Sequence, residues 1–190
     1  MINNDIRMCA FTYQYLVQVQ AHRDALFVSA TGVDEAGWEK WNDSGIILEP
    51  SPWMPHDPLP GPDFSCYLIT KGCHERYPFD EHYIPGYVED IDTHRRMMLG
   101  GDGRKIFGTG LPFLHLGSGT LNAMTAEQRT KWEERITKGS RAYHRQKWAG
   151  DANEETLTRP FDPSSARPGV TTPELFERVR NNQPAIPDVR

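Results

Sequence analysis

Apolar and polar positions alternate along this chain in short blocks, and each block predicts one element. From Phe11 to His22, Tyr15, Leu16 and Val19 recur at helical spacing and predict a helix, and Ala25 to Ala30 is a short apolar run suited to a buried strand. Asp34 to Trp41 predicts a short helix and Gly45 to Leu48 a strand. Phe64 to Ile69 reads as a further buried strand entering a helix around Lys71 to Tyr77. Between Val88 and Leu99 the acids Glu89, Asp90 and Asp92 come first and Arg95 and Arg96 later, an order that complements a helix dipole, and Gly100-Gly101 stops the helix. Lys105 to Phe107 and Pro112 to His115 predict two strands. Thr125 opens a charged helix to about Trp148, with Thr125 and Gln128 in capping-box positions and a thin apolar stripe that suits packing on one edge. This alternation predicts an α/β fold with a sheet flanked by helices.

Glycine and proline, 16 and 15 of 190 residues, cluster and mark the loops. Repeated proline from Glu49 to Pro62 removes backbone donors and fixes φ, so neither helix nor central strand is expected there. The tail from Pro160 to Arg190 reads as an arm on the surface, with one amphipathic piece from Pro173 to Arg180 capped by Thr172. The expected organisation is one α/β domain over 1–150 and a Pro-rich C-terminal arm over 151–190. That length allows one domain able to bury roughly 70% of its unfolded surface. With 26 acidic and 21 basic residues the net charge is -5, which argues against nucleic acid as the main partner. No apolar run approaches the ~20 residues that span a bilayer, and the N-terminus lacks the basic start and apolar core of a signal peptide. Cys9, Cys66 and Cys73 fit neither a disulfide framework nor a zinc knuckle. A cytoplasmic protein is expected.

Four constellations can carry chemistry. Asn3-Asn4-Asp5 offers oxygen donors to a hard cation such as Mg²⁺ or Mn²⁺, or is a disordered N-terminus or a helix cap with no such role. Phe79-Asp80-Glu81-His82-Tyr83 and Glu89-Asp90-Ile91-Asp92-Thr93-His94-Arg95-Arg96 crowd carboxylates at a helix start, where one acid can serve as a general base. The alternative there is a solvated turn whose ion pairs contribute a few tenths of a kcal/mol, roughly, each. In His115-Leu116-Gly117-Ser118-Gly119-Thr120, a histidine leaves an apolar strand for a glycine-rich turn; it is either a ligand for a first-row metal or a structural side chain. The turn has no P-loop lysine, and GxGxxG is absent, which argues against a kinase or a dinucleotide dehydrogenase. The helix after Thr125 is basic in its second half and suits an acidic acceptor, an anionic surface, or plain solvation.

In this order, NND, FDEHY, EDIDTHRRMMLGG and FLHLGSGT resemble the acceptor-side half of a GT-A fold glycosyltransferase of the family-two type, over roughly Met1 to Thr120. The resemblance implies a partial GT-A mixed sheet and inverting transfer of a sugar from a nucleotide-sugar donor to a hydroxyl of a sugar, protein or lipid acceptor, assisted by Mn²⁺ or Mg²⁺. It implies Asp5 as metal-binding acid with Asn3 in the place of the motif's first acid, and His115 as a further metal or diphosphate contact. Asp90, with Glu89 beside it, takes the position of the base, and Asp92 and Arg95 hold the helix start. Trp53, Asp63 and Phe64 border the acceptor and donor pocket, and Ser118 lies in the turn after His115. The family's nucleotide-binding half precedes the NND segment and is not evident in this chain, so a homo-oligomer or a partner chain is expected to cover the incomplete sheet. Two other readings remain: a non-catalytic carbohydrate-binding or interaction module using Trp38, Trp41 and Trp53, and a metal-dependent hydrolase using His56, Asp57, His115 and the acids around Glu89.

Overall fold

The computed structural model of the chain describes residues 5–44, 51–52, 64–116 and 119–186. In chain order the elements are β1 (Ile6–Met8), α1 (Thr12–Arg23), β2 (Phe27–Val33), α2 (Glu35–Ser44), β3 (Ser51–Pro52), β4 (Tyr67–Ile69), α3 (Lys71–Arg76), α4 (Glu89–Leu99), β5 (Ile106–His115), α5 (Gly119–Asn122), α6 (Ala126–Ile136), α7 (Ala142–Trp148) and α8 (Thr172–Arg180), with a π-turn (Thr137–Arg141) joining α6 to α7. The fold is mixed α/β, and the described residues form two compact units.

The first unit holds the sheet, with α1, α2, α3 and α5. Strand order is β1-β5-β2-β4, and the two-residue β3 also pairs with β5. The central pair, β2 and β5, is parallel with Phe27 opposite Ile106 and Val33 opposite Leu114, while β1, β3 and β4 pair antiparallel. Phe27, Val28, Ser29 and Ala30 are all buried, as a strand covered on both faces requires. Leu16 and Val19 of α1 close that core with Val28, Ala30, Cys66, Phe107 and Phe113. A register shift between Ser29 and Thr31 interrupts the ladder beside Pro112, and Thr31 bridges it by donating its hydroxyl to the Thr109 carbonyl at 2.5 Å. Both edge strands of the described sheet are three residues long, which limits pairing with other chains.

The second unit is helical. Met97 and Met98 of α4 are fully buried, as is Leu175 of α8, and the His94 and Phe176 rings meet edge to face at 5.9 Å. Trp148, Leu157 and Val170 complete the buried set. Among the described residues no helix is long and apolar enough to cross a membrane, and no disulfide joins Cys9, Cys66 or Cys73.

Several sequence expectations need correction. The two strands expected around Lys105–Phe107 and Pro112–His115 are one ten-residue strand, β5, because Pro112 falls where the ladder is already broken. The expected helix at Asp34–Trp41 is α2, extended to Ser44, and the strand expected at 64–69 shortens to Tyr67–Ile69. The strand expected at 45–48 lies outside the described residues. The tail is no surface arm: Leu157, Val170, Leu175 and Phe176 are buried. The cap of α8 is Thr171, one residue earlier than expected, in a capping box with Glu174 that leaves Thr172 inside the helix. The expected box of Thr125 and Gln128 is present. The helix it opens contains an extra residue as the π-turn, and Gly139 sits in that turn because a Cβ there would run into the Ile84 carbonyl oxygen.

Candidate functional site

The register of β1 on β5 sets Ile6 opposite His115, so Asp5 and His115 leave the sheet at the same end. Leu116 donates its N–H to the Asp5 carbonyl at 3.0 Å and fixes the two chain segments together. Nε2 of His115 stands 3.4 Å from Oδ2 of Asp5, with the side chains 33% and 23% exposed. An oxygen and a nitrogen donor are thus side by side and open to solvent. Cis ligands at about 2.1 Å from an octahedral cation stand about 3 Å apart, so this pair needs little adjustment to hold Mn²⁺ or Mg²⁺. The donor chemistry fits; two donors are fewer than a complete shell, and among the described residues no group of three or more His, Cys, Asp or Glu side chains surrounds a common point. Asn3 and Ser118 lie outside the described residues, as do Trp53, Asp63, His56 and Asp57.

The acids at the start of α4 belong to the second unit. Gly86, Tyr87 and Val88 lead into them with φ of 129°, 71° and 62°, a left-handed run that a β-branched valine rarely adopts. Val88 supplies no side-chain cap, and Asp90 turns back so that its Oδ1 accepts the Ile91 N–H at 2.8 Å. Glu89 is half-buried, and its Oε2 is enclosed without a hydrogen-bond partner among the described residues. Burial pushes the Glu89 carboxyl above its ordinary value, and the neighbouring Asp90 charge adds to the rise. A partly exposed carboxylate and a neighbour whose carboxyl is raised by burial therefore share one helical turn.

One turn further on the same helix the acids and bases are enclosed. Asp92 is fully buried and accepts from Trp148 Nε1 at 2.7 Å, Arg96 Nε at 2.8 Å and Tyr83 Oη at 3.2 Å, with Lys147 Nζ at 2.8 Å. Arg95, also fully buried, donates to the Val170 and Leu157 carbonyls at 2.5 and 2.6 Å, covers the Trp148 ring at 4.8 Å and faces Glu155 at 3.7 Å. These contacts tie the middle of α4 to α7 and to the 155–172 segment. Sequence reasoning missed the far side of this network. Glu155 accepts from the Thr172 N–H at 2.9 Å and meets His144 Nε2 at 3.2 Å, and Nδ1 of His144 meets Tyr83 Oη at 3.0 Å. Burial would raise the Glu155 carboxyl, but His144 and Arg95 outweigh it and hold the group down at about 2. The signal available was weak: His144 and Lys147 lie on one face of α7, but nothing in Glu154-Glu155 distinguishes the buried acid from its exposed neighbour.

Asp80 of the FDEHY segment is bound by Lys147 at 2.6 Å, Tyr143 at 2.8 Å and the His82 ring at 2.8 Å. Its burial favours the neutral form, yet these partners keep its carboxyl well below the usual carboxylate range. Phe64 packs against Phe27 and Tyr67 at ring distances of 4.7 and 4.9 Å in the first unit. Of the residues singled out in sequence, Asp5 and His115 are in contact in the first unit, and Glu89, Asp90, Asp92 and Arg95 share one helix in the second. No protein-family model matches the sequence, and no curated protein and no solved structure matches it.

Proposed function

We propose that the chain is the acceptor- and metal-binding half of an inverting glycosyltransferase of the GT-A type. The observation that carries this reading is the pairing of Asp5 with His115, residues 110 positions apart that meet as an oxygen and a nitrogen donor at one end of the sheet. A divalent cation held by them supplies Lewis-acid stabilisation of the charge that grows on a departing diphosphate. The remaining work falls to the chain's own acids. In the second unit, Asp90 is the acid assigned to accept the proton of an acceptor hydroxyl. Glu89 stands beside it, its carboxyl raised above the ordinary value by burial and by the Asp90 charge. Asp92 and Arg95 hold the turn that carries both, and base assistance of this kind contributes roughly 10²–10⁴-fold.

Calorimetry with nucleoside diphosphates, with and without Mn²⁺, tests the reading. Metal-dependent binding that disappears in Asp5→Ala is expected; a folded chain that binds neither Mn²⁺ nor diphosphate excludes it. A second reading, carbohydrate binding without transfer, draws on Trp38 and Trp41, whose half-buried rings lie 5.3 Å apart on α2. It predicts saccharide binding that ignores Mn²⁺.

A further inference from the structure

Between the 84–88 loop and the α6 helix with its π-turn runs an open groove of about 540 Å³, lined by Ile84, Pro85, Lys131, Glu134, Arg135 and Lys138. The three cations are spaced i, i+4 and i+7, which sets them along one helical face over about 10 Å. Opposite them is an apolar wall: Ile84 is 65% exposed, and Tyr87 nearby is 40% exposed. Lys131 is paired with Glu127 at 2.6 Å and Lys138 with Glu134 at 3.3 Å. Arg135 makes no ion pair among the described residues; it lies over the Trp132 ring at 5.9 Å, and that ring meets Tyr87 at 6.4 Å. The Trp132 indole N–H is enclosed with no hydrogen-bond partner among the described residues. The groove thus joins the apolar side chains of Ile84 and Pro85 to a guanidinium that has no ion pair among the described residues. Gly139 permits the close approach of the Ile84 carbonyl, Lys138 lies within the π-turn, and the left-handed run at 86–88 leads from Pro85 to Glu89 and Asp90.

We infer that this groove is the acceptor subsite and that it takes a saccharide bearing an anionic group, with the C–H face of the ring on Ile84, Pro85 and Tyr87 and the anion on Arg135. The inference rests on the sugar-transfer reading for the word acceptor, but not for the binding itself. A guanidinium suits an anion because its N–H groups bond two oxygens at once, and the two lysines, held only by exposed ion pairs, can turn to the same anion. Glu134 is the opposing charge in the groove, and its pairing with Lys138 leaves Arg135 as the principal anion contact.

The test titrates the full chain with glucose 6-phosphate, glucuronate and glucose, followed by calorimetry and by the indole resonance of Trp132. Binding of glucose 6-phosphate or glucuronate, weaker at high salt, with glucose at least tenfold weaker, is expected. Arg135→Gln should lower affinity about tenfold or more and Arg135→Lys recover part of it, with the far-ultraviolet spectrum unchanged. The inference is overturned by equal binding of glucose and its phosphate, by affinity indifferent to Arg135→Gln, by inorganic phosphate binding as tightly as the sugar phosphate, or by no binding at about 10 mM, where a millimolar site is filled. The Asp5→Ala variant separates this from the transfer reading: it should bind the anionic sugar normally, whereas a loss of that binding overturns the assignment to the groove. Anionic-sugar binding in a chain that ignores Mn²⁺ and nucleoside diphosphates keeps the groove and removes only the transferase.

Discussion

Two sets of acids in this molecule have opposite surroundings. Asp92 and Glu155 are fully buried, and hydrogen-bond partners from three helices and from Tyr83 surround their oxygens. Asp5 and Asp90 are partly exposed, Asp5 beside His115 and Asp90 folded back on the Ile91 N–H. Burial with full partnering turns a carboxylate into a part of the framework; exposure leaves it within reach of a cation or a substrate proton. Asp90 and Asp92 make the contrast on a single helix, two residues apart. The largest effect expected from breaking it is on chemistry: Asp90→Asn should lower transfer by roughly 10²–10⁴-fold while urea unfolding stays unchanged. Turnover undiminished in a folded Asp90→Asn chain would remove Asp90 as the base.

The enclosed set should fail in the opposite way. Glu155→Ala strands the Arg95 guanidinium in the core of the second unit, and losing one member of a buried pair costs about 3–5 kcal/mol. Glu155→Gln keeps the acceptor for the Thr172 N–H and should cost less. If urea denaturation finds Glu155→Ala within about 0.5 kcal/mol of the parent, the network is not structural and the contrast collapses.

The sequence showed these two sets unequally. Helix caps were legible where the chemistry is local: Thr125 and Gln128 sit three residues apart, and the structure joins them in a capping box. The acidic start and basic end of α4 were legible for the same reason. What sequence could not show were pairings across distance. Glu155 reaches Arg95 over sixty residues, and its neighbour Glu154 is identical in type yet exposed. The tail read as a surface arm because proline dominates its composition, but proline dictates backbone shape and says nothing of whether Leu157, Val170 and Phe176 find a core. The pairing of Asp5 with His115 was expected only through family resemblance; in physical terms it follows from the β1–β5 register, which no local pattern encodes.

A smaller effect sharpens the boundary of the groove. Gly139→Ala pushes a methyl against the Ile84 carbonyl, a backbone atom that cannot swing aside, and should destabilise by about 1–3 kcal/mol while displacing the 84–88 loop. Acidification probes the buried side of the contrast. Burial alone lowers the His94 imidazole to about 3, against an ordinary value of 6.5. Between those values the unfolded chain binds a proton that the folded chain refuses, so stability is full above 6.5 and falls as pH drops toward 3. His94→Phe should flatten that slope, whatever it does to stability at neutral pH. A slope identical in parent and variant would mean that His94 is not kept neutral by the fold.

The smallest effect on folding belongs to the open pair. Asp5 and His115 touch at 3.4 Å with both side chains partly exposed, and such pairs contribute about 0–1 kcal/mol because solvent competes for each partner. Asp5→Ala and His115→Ala should therefore leave the urea midpoint nearly unchanged and yet abolish Mn²⁺ binding in calorimetry, since each removes one of two donors. The double variant should be no worse than either single one for the metal, because one donor cannot hold it alone. A loss of several kcal/mol in His115→Ala would place this pair with Asp92 and Glu155 instead, as framework, and would remove the one contact on which the metal-assisted reading stands.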